Sequence, residues 1–304
     1  MKRHILIKEF WDRSKYLNVN NDKYKNYVQK FFKDKLEQDM GSGDITTNSL
    51  ISKNKNIKAY VIVKEQGILA GMEEVSLLIN KFKIKKFKKD GDKIKNNDKI
   101  LEIYGNARKI LLYERTMLNI LQRMSGIATL TNNSKKLVNK CLIAGTRKTL
   151  FPLFDEKALS VGGALTHRLD LGSAVLVKDS HLEVLNDNIK KAVILASKNK
   201  KTKYVEIEVK NEKEALEAAE TIINLNSKKM FAIMFDNMKA SMIKNTIKKI
   251  NNKLQNKKNI ILFEASGGIN RKNIKEYSKT GVDIISLGIL THSVKVFDMS
   301  LEIK

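Results

Sequence analysis

The chain has one cysteine and one proline in 304 residues. With Cys141 alone, no disulfide forms within the chain and no cysteine cluster holds a metal, which fits a reducing compartment. Histidine is scarce as well, and His4, His167, His181 and His292 show no paired metal spacing. Aromatic residues make up 7%, too few for a platform on which bases would stack. No stretch is apolar for the length a bilayer crossing needs. The opening MKRHILIKEFW breaks its apolar run at Lys8 and Glu9, unlike a secretory leader. Acidic residues are outnumbered, 33 against 58 Lys and Arg, for a net charge of +25. Such an excess attracts polyanions in principle. Here the lysines are dispersed through Asn-rich tracts such as 81–99 and 226–230. The expectation is a cytoplasmic protein without a nucleic-acid or membrane partner, whose surface favours small anions.

What remains is globular: 42% apolar and 30% charged residues, in a chain long enough for two domains. Residues 12–39 read as a Lys- and Asn-rich segment with helical stretches. GDITT (43–47) reads as an Asx-type turn with a structural role. IKAYVIVKE (57–65), GILAGMEEVSLLIN (67–80) and DKILEIYG (98–105) alternate, the last two flanking a basic hairpin, without a βα repeat. From Ala107 a long helix is predicted, with Gly126 as a break. Beyond it, apolar strands alternate with amphipathic helices at βα-unit spacing. Asn211 with Glu214 makes a cap with a reach-back partner, and Asn270 caps a short helix. The tail FDMSLEIK reads as a strand that returns to the first domain.

The predicted fold is α/β: an N-terminal α+β sandwich, residues 1–127 joined by the tail 289–304, then an incomplete parallel α/β barrel over 128–288. Such barrels collect their sites at the C-terminal ends of the strands. There the sequence places Arg147 and Lys148, then His167 and Arg168, then Lys178. One such pair alone is a solvated loop start. Several converging cations are a pocket for carboxylate or phosphate. Glu208 and Asp236 end two further strands, as salt-bridge partners or as ligands for Mg²⁺, directly or through water. Ser266-Gly267-Gly268 and Ser286-Leu287-Gly288 follow the last two strands, where backbone N–H groups can approach a phosphate. Arg115, Asn119 and Arg123 recur every four residues on the long helix, which by itself is an ordinary polar face.

Eight ordered segments carry a family resemblance: EQDMGSGDITTNSLI (37–51), ERTMLNILQRMSGIATLT (114–131), AGTRKT (144–149), VGGALTHRLDLGSAVLVKDSHL (161–182), VEIEV (205–209), IMFDNM (233–238), EASGGI (264–269) and GVDIISLGILTHS (281–293). Together they resemble quinolinate phosphoribosyltransferase. The resemblance implies transfer of the phosphoribosyl group of phosphoribosyl pyrophosphate (PRPP) to quinolinate, with loss of pyrophosphate and CO₂, giving nicotinate mononucleotide for NAD biosynthesis. It implies a homodimer or a multiple of dimers. It gives Arg147, His167, Arg168 and Lys178 to the quinolinate carboxylates, with Arg115 contributed by the neighbouring subunit. Lys148 reaches the PRPP side as a catalytic residue. Glu208 and Asp236 act near the ribose and its Mg²⁺, and Ser266, Gly267, Gly268, Ser286 and Gly288 near the 5′-phosphate. Two departures stand out. After TRKT the family has Pro-Gly and then an Arg, where this chain reads LFPLFDEKAL, and Ser180 replaces Asn in KDNH. The alternatives are a paralogue of the same fold acting on another aromatic acid, as in the molybdate-transport-associated branch, which tends to lack the counterpart of Lys178, or a non-catalytic anion-binding protein.

Overall fold

The computed structural model describes residues 3–225, 227–254 and 260–304. The first two residues, Asn226, Gln255 and Asn259, which belonged to predicted segments, lie outside them. Two compact units emerge. One comprises Met1–Arg13, Ser134–Lys148 and Ala164–His292, the other Ser14–Asn133, Thr149–Gly163 and Ser293–Lys304. This division departs from the sequence-based boundaries chiefly at residues 1–13 and 149–163, and by a few residues at 128–133 and 289–292. The N-terminal residues group with the parallel sheet, because Ile7, Phe10 and Trp11 of the helix Arg3–Trp11 pack among Ala144, Leu165, Ala232, Leu262 and Ile284. The helix Pro152–Gly162, which starts on the sole proline, groups with the antiparallel unit.

The first unit is a six-stranded parallel sheet. Its spatial order is Leu142–Ala144, Ile284–Ser286, Ile261–Ser266, Met230–Asp236, Tyr204–Val209, Val175–Val177. Ala144 also makes a parallel bridge to Leu165. Helices Ile189–Ser197, Glu212–Asn224 and Ala240–Leu254 are the crossovers. Alternation sorts each strand into two faces. Register aligns one row as Glu206, Ala232 and Leu262, the next as Glu208, Met234, Glu264 and Ile284, and a third as Asp236 and Ser266. The opposite face is apolar throughout, with Val205, Ile207, Phe231, Ile233 and Phe263 all buried. Asn211 caps its helix as expected: its Oδ1 accepts from the Glu214 N–H, while Glu214 accepts from the Lys210 N–H. Asn273, not Asn270, precedes the short helix Ile274–Tyr277. Asn270 accepts instead from the Lys272 N–H.

The second unit holds an antiparallel sheet in the order Met299–Ile303, Asn56–Val63, Lys99–Asn106, Lys83–Lys86. The C-terminal tail therefore pairs where the sequence placed it. The segment 67–80 is a two-residue strand followed by the helix Met72–Leu78. Asp90 secures that helix by accepting from the N–H groups of Met72 and Glu73. Asp44 caps Ile45–Leu50 through the Thr47 N–H, the structural turn the sequence predicted. The long helix runs unbroken over Ala107–Lys135. Gly126 does not interrupt it: a Cβ there would stand 2.4 Å from the Lys295 carbonyl oxygen. The glycine is an approach point for the C-terminal segment, which periodicity alone does not distinguish from a break.

Candidate active site

In the first unit the structure brings Arg147, Lys148, His167, Arg168, Lys178, Glu208, Asp236, Ser266, Gly267, Gly268, Ser286 and Gly288 to the C-terminal end of the parallel sheet or the loops that follow it. Arg147, Lys148 and Lys178 are exposed, and Arg168 is half-buried. The Arg168 guanidinium donates to the Ala174 carbonyl oxygen at 3.2 Å. Burial, and after it the like charge of Arg147, holds Arg168 below its ordinary value. Two guanidinium groups that disfavour each other's charge are a place where an anion is stabilised.

Carboxylates crowd beside these cations. Glu208 is pushed up to about 7, by burial first and then by Asp236 and Asp179, with Lys178 and Lys210 pulling the other way. Lys210 pairs with Asp179 at 3.3 Å. Asn237, at φ 54°, donates from its side chain to Asp236 at 2.8 Å and from its backbone to the Ser266 carbonyl oxygen at 3.0 Å. That bond needs glycine at 267: a Cβ there would lie 2.5 Å from the Asn237 side-chain oxygen, and its φ is 85°. Gly268 follows at φ 61°, so the turn presents backbone, without side chains, to an incoming anion. Thr291 donates to the Lys148 carbonyl oxygen at 3.1 Å, anchoring the loop that bears both cations.

Beneath this rim lies a buried network. His167 has φ 59°, and its Nδ1 accepts the Arg168 backbone N–H at 2.9 Å. Its Nε2 faces Glu264 Oε2 at 3.2 Å and Glu206 Oε2 at 3.4 Å. Glu206 is raised well above the carboxylate range by burial and then by Glu264. Burial pushes Glu264 up too, but His167 beside it, and after it Glu206, hold it below its ordinary value. The three side chains have the composition of a metal site. However, Nδ1 accepts an N–H, so the ring proton sits on Nε2 and no lone pair there is available to a cation. Both ring nitrogens of His167, assigned by sequence to quinolinate, are engaged within the protein. Ser286, assigned to phosphate, is buried with its side chain near Glu264. Burial, with the Asp283 charge beside it, raises the Cys141 thiol to about 12.

Arg115 belongs to the other unit. It is exposed and lines a cavity of about 550 Å³ together with Asn119, Arg123, Phe31 and Phe151. Its helical neighbour Arg123 is structural. It grips the fully buried Asp155 with two bonds of 2.8 and 2.6 Å and lies 5.0 Å from the centre of the Phe151 ring. Thr149 bonds the same carboxylate, so the segment that departs from the family's Pro-Gly loop is tied down by Asp155.

Sequence reading marked Asp179 only as a strand tip beside Lys178, and did not single out Glu206, Glu264, Lys210 or Asn237. For Glu206 a signal existed, since VEIEV places Glu206 and Glu208 on one face of a strand. Nothing local marked Glu264, whose role depends on a histidine 97 positions away.

A six-stranded parallel α/β unit whose strand ends gather cations, carboxylates and a glycine turn defines the class: an α/β protein with its candidate site at the C-terminal ends of the strands. The comparisons narrow this class. Residues 44–125 match the N-terminal domain of quinolinate phosphoribosyl transferase and residues 127–302 its C-terminal domain. A probable nicotinate-nucleotide pyrophosphorylase [carboxylating] of Methanocaldococcus jannaschii is 42% identical over 290 residues, covering 92% of this chain and 98% of the relative. Its counterpart in Methanothermobacter thermautotrophicus is 36% identical over 286 residues, covering 91% and 99%. The crystal structure of nicotinate-nucleotide pyrophosphorylase from Ehrlichia chaffeensis superposes with a TM-score of 0.80 at 31% identity, over 91% of this chain and 98% of that one. The chain belongs to the quinolinate phosphoribosyl transferase family.

Proposed function

We infer that this chain joins quinolinate to PRPP and releases pyrophosphate and CO₂, giving nicotinate mononucleotide for NAD biosynthesis. The observation that carries this reading is the placement of Arg147 and Arg168, close enough to oppose each other's charge, at the sheet end that also bears Glu208 and Asp236. Quinolinate and PRPP are both polyanions, so cations must neutralise them before they meet. Arg147, Arg168 and Lys178 bind the quinolinate carboxylates, and Lys148 reaches PRPP. The quinolinate nitrogen attacks C1′ of the ribose, and the bond from C1′ to the pyrophosphate oxygen breaks with its electron pair. Positive charge develops on the ribose as pyrophosphate departs, and fixed carboxylates stabilise it. The C2 carboxylate then leaves as CO₂. Its electron pair stays on the ring carbon next to the charged nitrogen, and a proton replaces it.

Glu208 and Asp236 are a pair of hard oxygen donors whose mutual repulsion a divalent cation would relieve, so they fit Mg²⁺, held directly or through water. Bound there, Mg²⁺ would supply charge neutralisation to the pyrophosphate oxygens. The turn at Ser266-Gly267-Gly268 and Gly288 receives the 5′-phosphate. Arg115 serves the quinolinate site of a second copy in a homodimer, and the enzyme works in the cytoplasm. No helix among the described residues is long and apolar enough to cross a membrane.

The test is incubation of the purified protein with quinolinate, PRPP and Mg²⁺, with nicotinate mononucleotide followed by mass spectrometry. Product is expected from the native chain and not from Lys178→Ala. No product from folded protein that still binds PRPP would overturn the choice of acceptor.

A further inference from the structure

The segment Thr166-His167-Arg168 is held through the Thr166 hydroxyl, the His167 ring and the Arg168 guanidinium. The Thr166 hydroxyl accepts the Arg13 N–H at 2.8 Å and lies 3.1 Å from the His167 carbonyl oxygen. His167 sits in the left-handed region at φ 59°, which is strained for a residue with a Cβ. Such a conformation persists where its surroundings over-determine it. The constraint comes from below. Glu264 is fully buried, and its Oε2 receives the Nε2 side of the ring, whose other nitrogen takes the Arg168 backbone N–H. Trp11, brought in by the N-terminal helix, is buried in the same unit.

We propose that Glu264 is a positioning residue for the acceptor pocket: by accepting from His167 Nε2 it fixes the Nε2–H tautomer, and the fixed ring holds the Arg168 backbone so that its guanidinium meets the quinolinate carboxylate. This rests on the acceptor site inferred above. Glu264 itself touches no substrate. What it supplies is orientation of one cation, while the PRPP side, built on Glu208, Asp236 and the Gly267-Gly268 turn, does not depend on it. Loss of the acceptor oxygen therefore acts on one substrate and not on both.

Two measurements decide it. Nitrogen NMR of histidine-labelled native protein reads the tautomer directly. A ring protonated on Nε2 and bare on Nδ1 is expected for His167, assigned with His167→Phe. The opposite tautomer, or a doubly protonated ring, overturns the proposal, and this readout stands even if quinolinate is not the acceptor. Steady-state kinetics then separates positioning from general support. Glu264→Met is expected to raise the KM for quinolinate roughly 10-fold or more while the KM for PRPP moves by less than about 2-fold. Glu264→Gln keeps an acceptor oxygen and is expected to recover most of that affinity. Equal KM increases for both substrates, or a Gln variant as impaired as Met, would overturn it. Native protein that turns over no quinolinate contradicts the acceptor reading instead, a failure that the NMR result keeps separate.

Discussion

At the rim of the parallel sheet Arg147, Lys148 and Lys178 stand exposed, whereas His167, Glu206 and Glu264 below them are buried. Both layers are rich in ionisable groups, yet they differ in what completes them. In the interior one oxygen of each carboxylate meets the His167 ring, Glu264 Oε2 at 3.2 Å and Glu206 Oε2 at 3.4 Å. At the rim like charges face each other, Arg147 against Arg168 and Glu208 against Asp236. A site made for a ligand leaves its charges unbalanced until the ligand arrives, while structural charges are balanced beforehand. Ionisable residues in this fold are therefore best sorted by what they already touch.

The comparison is broken most severely at the rim. Arg168→Ala or Lys178→Ala is expected to lower kcat/KM at least about 1,000-fold, roughly 4 kcal/mol of transition-state stabilisation, with little change in the thermal midpoint. Turnover that survives either change would remove these residues from the pocket. Arg123→Met makes the opposite test, because Arg123 already has its partner. Asp155 would be left buried with an uncompensated charge, at a cost of about 3 kcal/mol, read as a lower urea midpoint. Unchanged stability would show that the pair is not structural.

A smaller effect comes from Glu74, buried in the antiparallel unit and hydrogen-bonded by Tyr24 at 2.7 Å. Burial, and then Asp90, raises it to about 7 from an ordinary 4.5. The folded protein thus holds a proton that the unfolded chain has released, and Glu74's contribution to stability falls as pH rises from about 4.5 to 7. Glu74→Gln is expected to gain about 1–2 kcal/mol at pH 8 and nothing near pH 4, measured by denaturant unfolding at both values. A gain independent of pH would assign the effect to packing.

Much of the rim was legible in the sequence. Strand tips are marked by an apolar run that ends in a charge, and the family's motifs repeat those tips in order. The interior was not legible, because Glu264 matters through a histidine 97 residues away and His167 through a backbone angle. Gly126 was misread as a helix break because a break and a close approach leave the same mark in a sequence. The N-terminal helix was missed for a related reason. It is short, and Ile7, Phe10 and Trp11 become a core only against the sheet.

The central claim is that the unbalanced rim cations are the acceptor site. Isothermal titration of quinolinate into the native protein and into Lys178→Ala tests it most directly. Saturable binding to the native chain that is lost in the variant, with the fold retained, is the predicted result. Undiminished quinolinate binding by Lys178→Ala would contradict it.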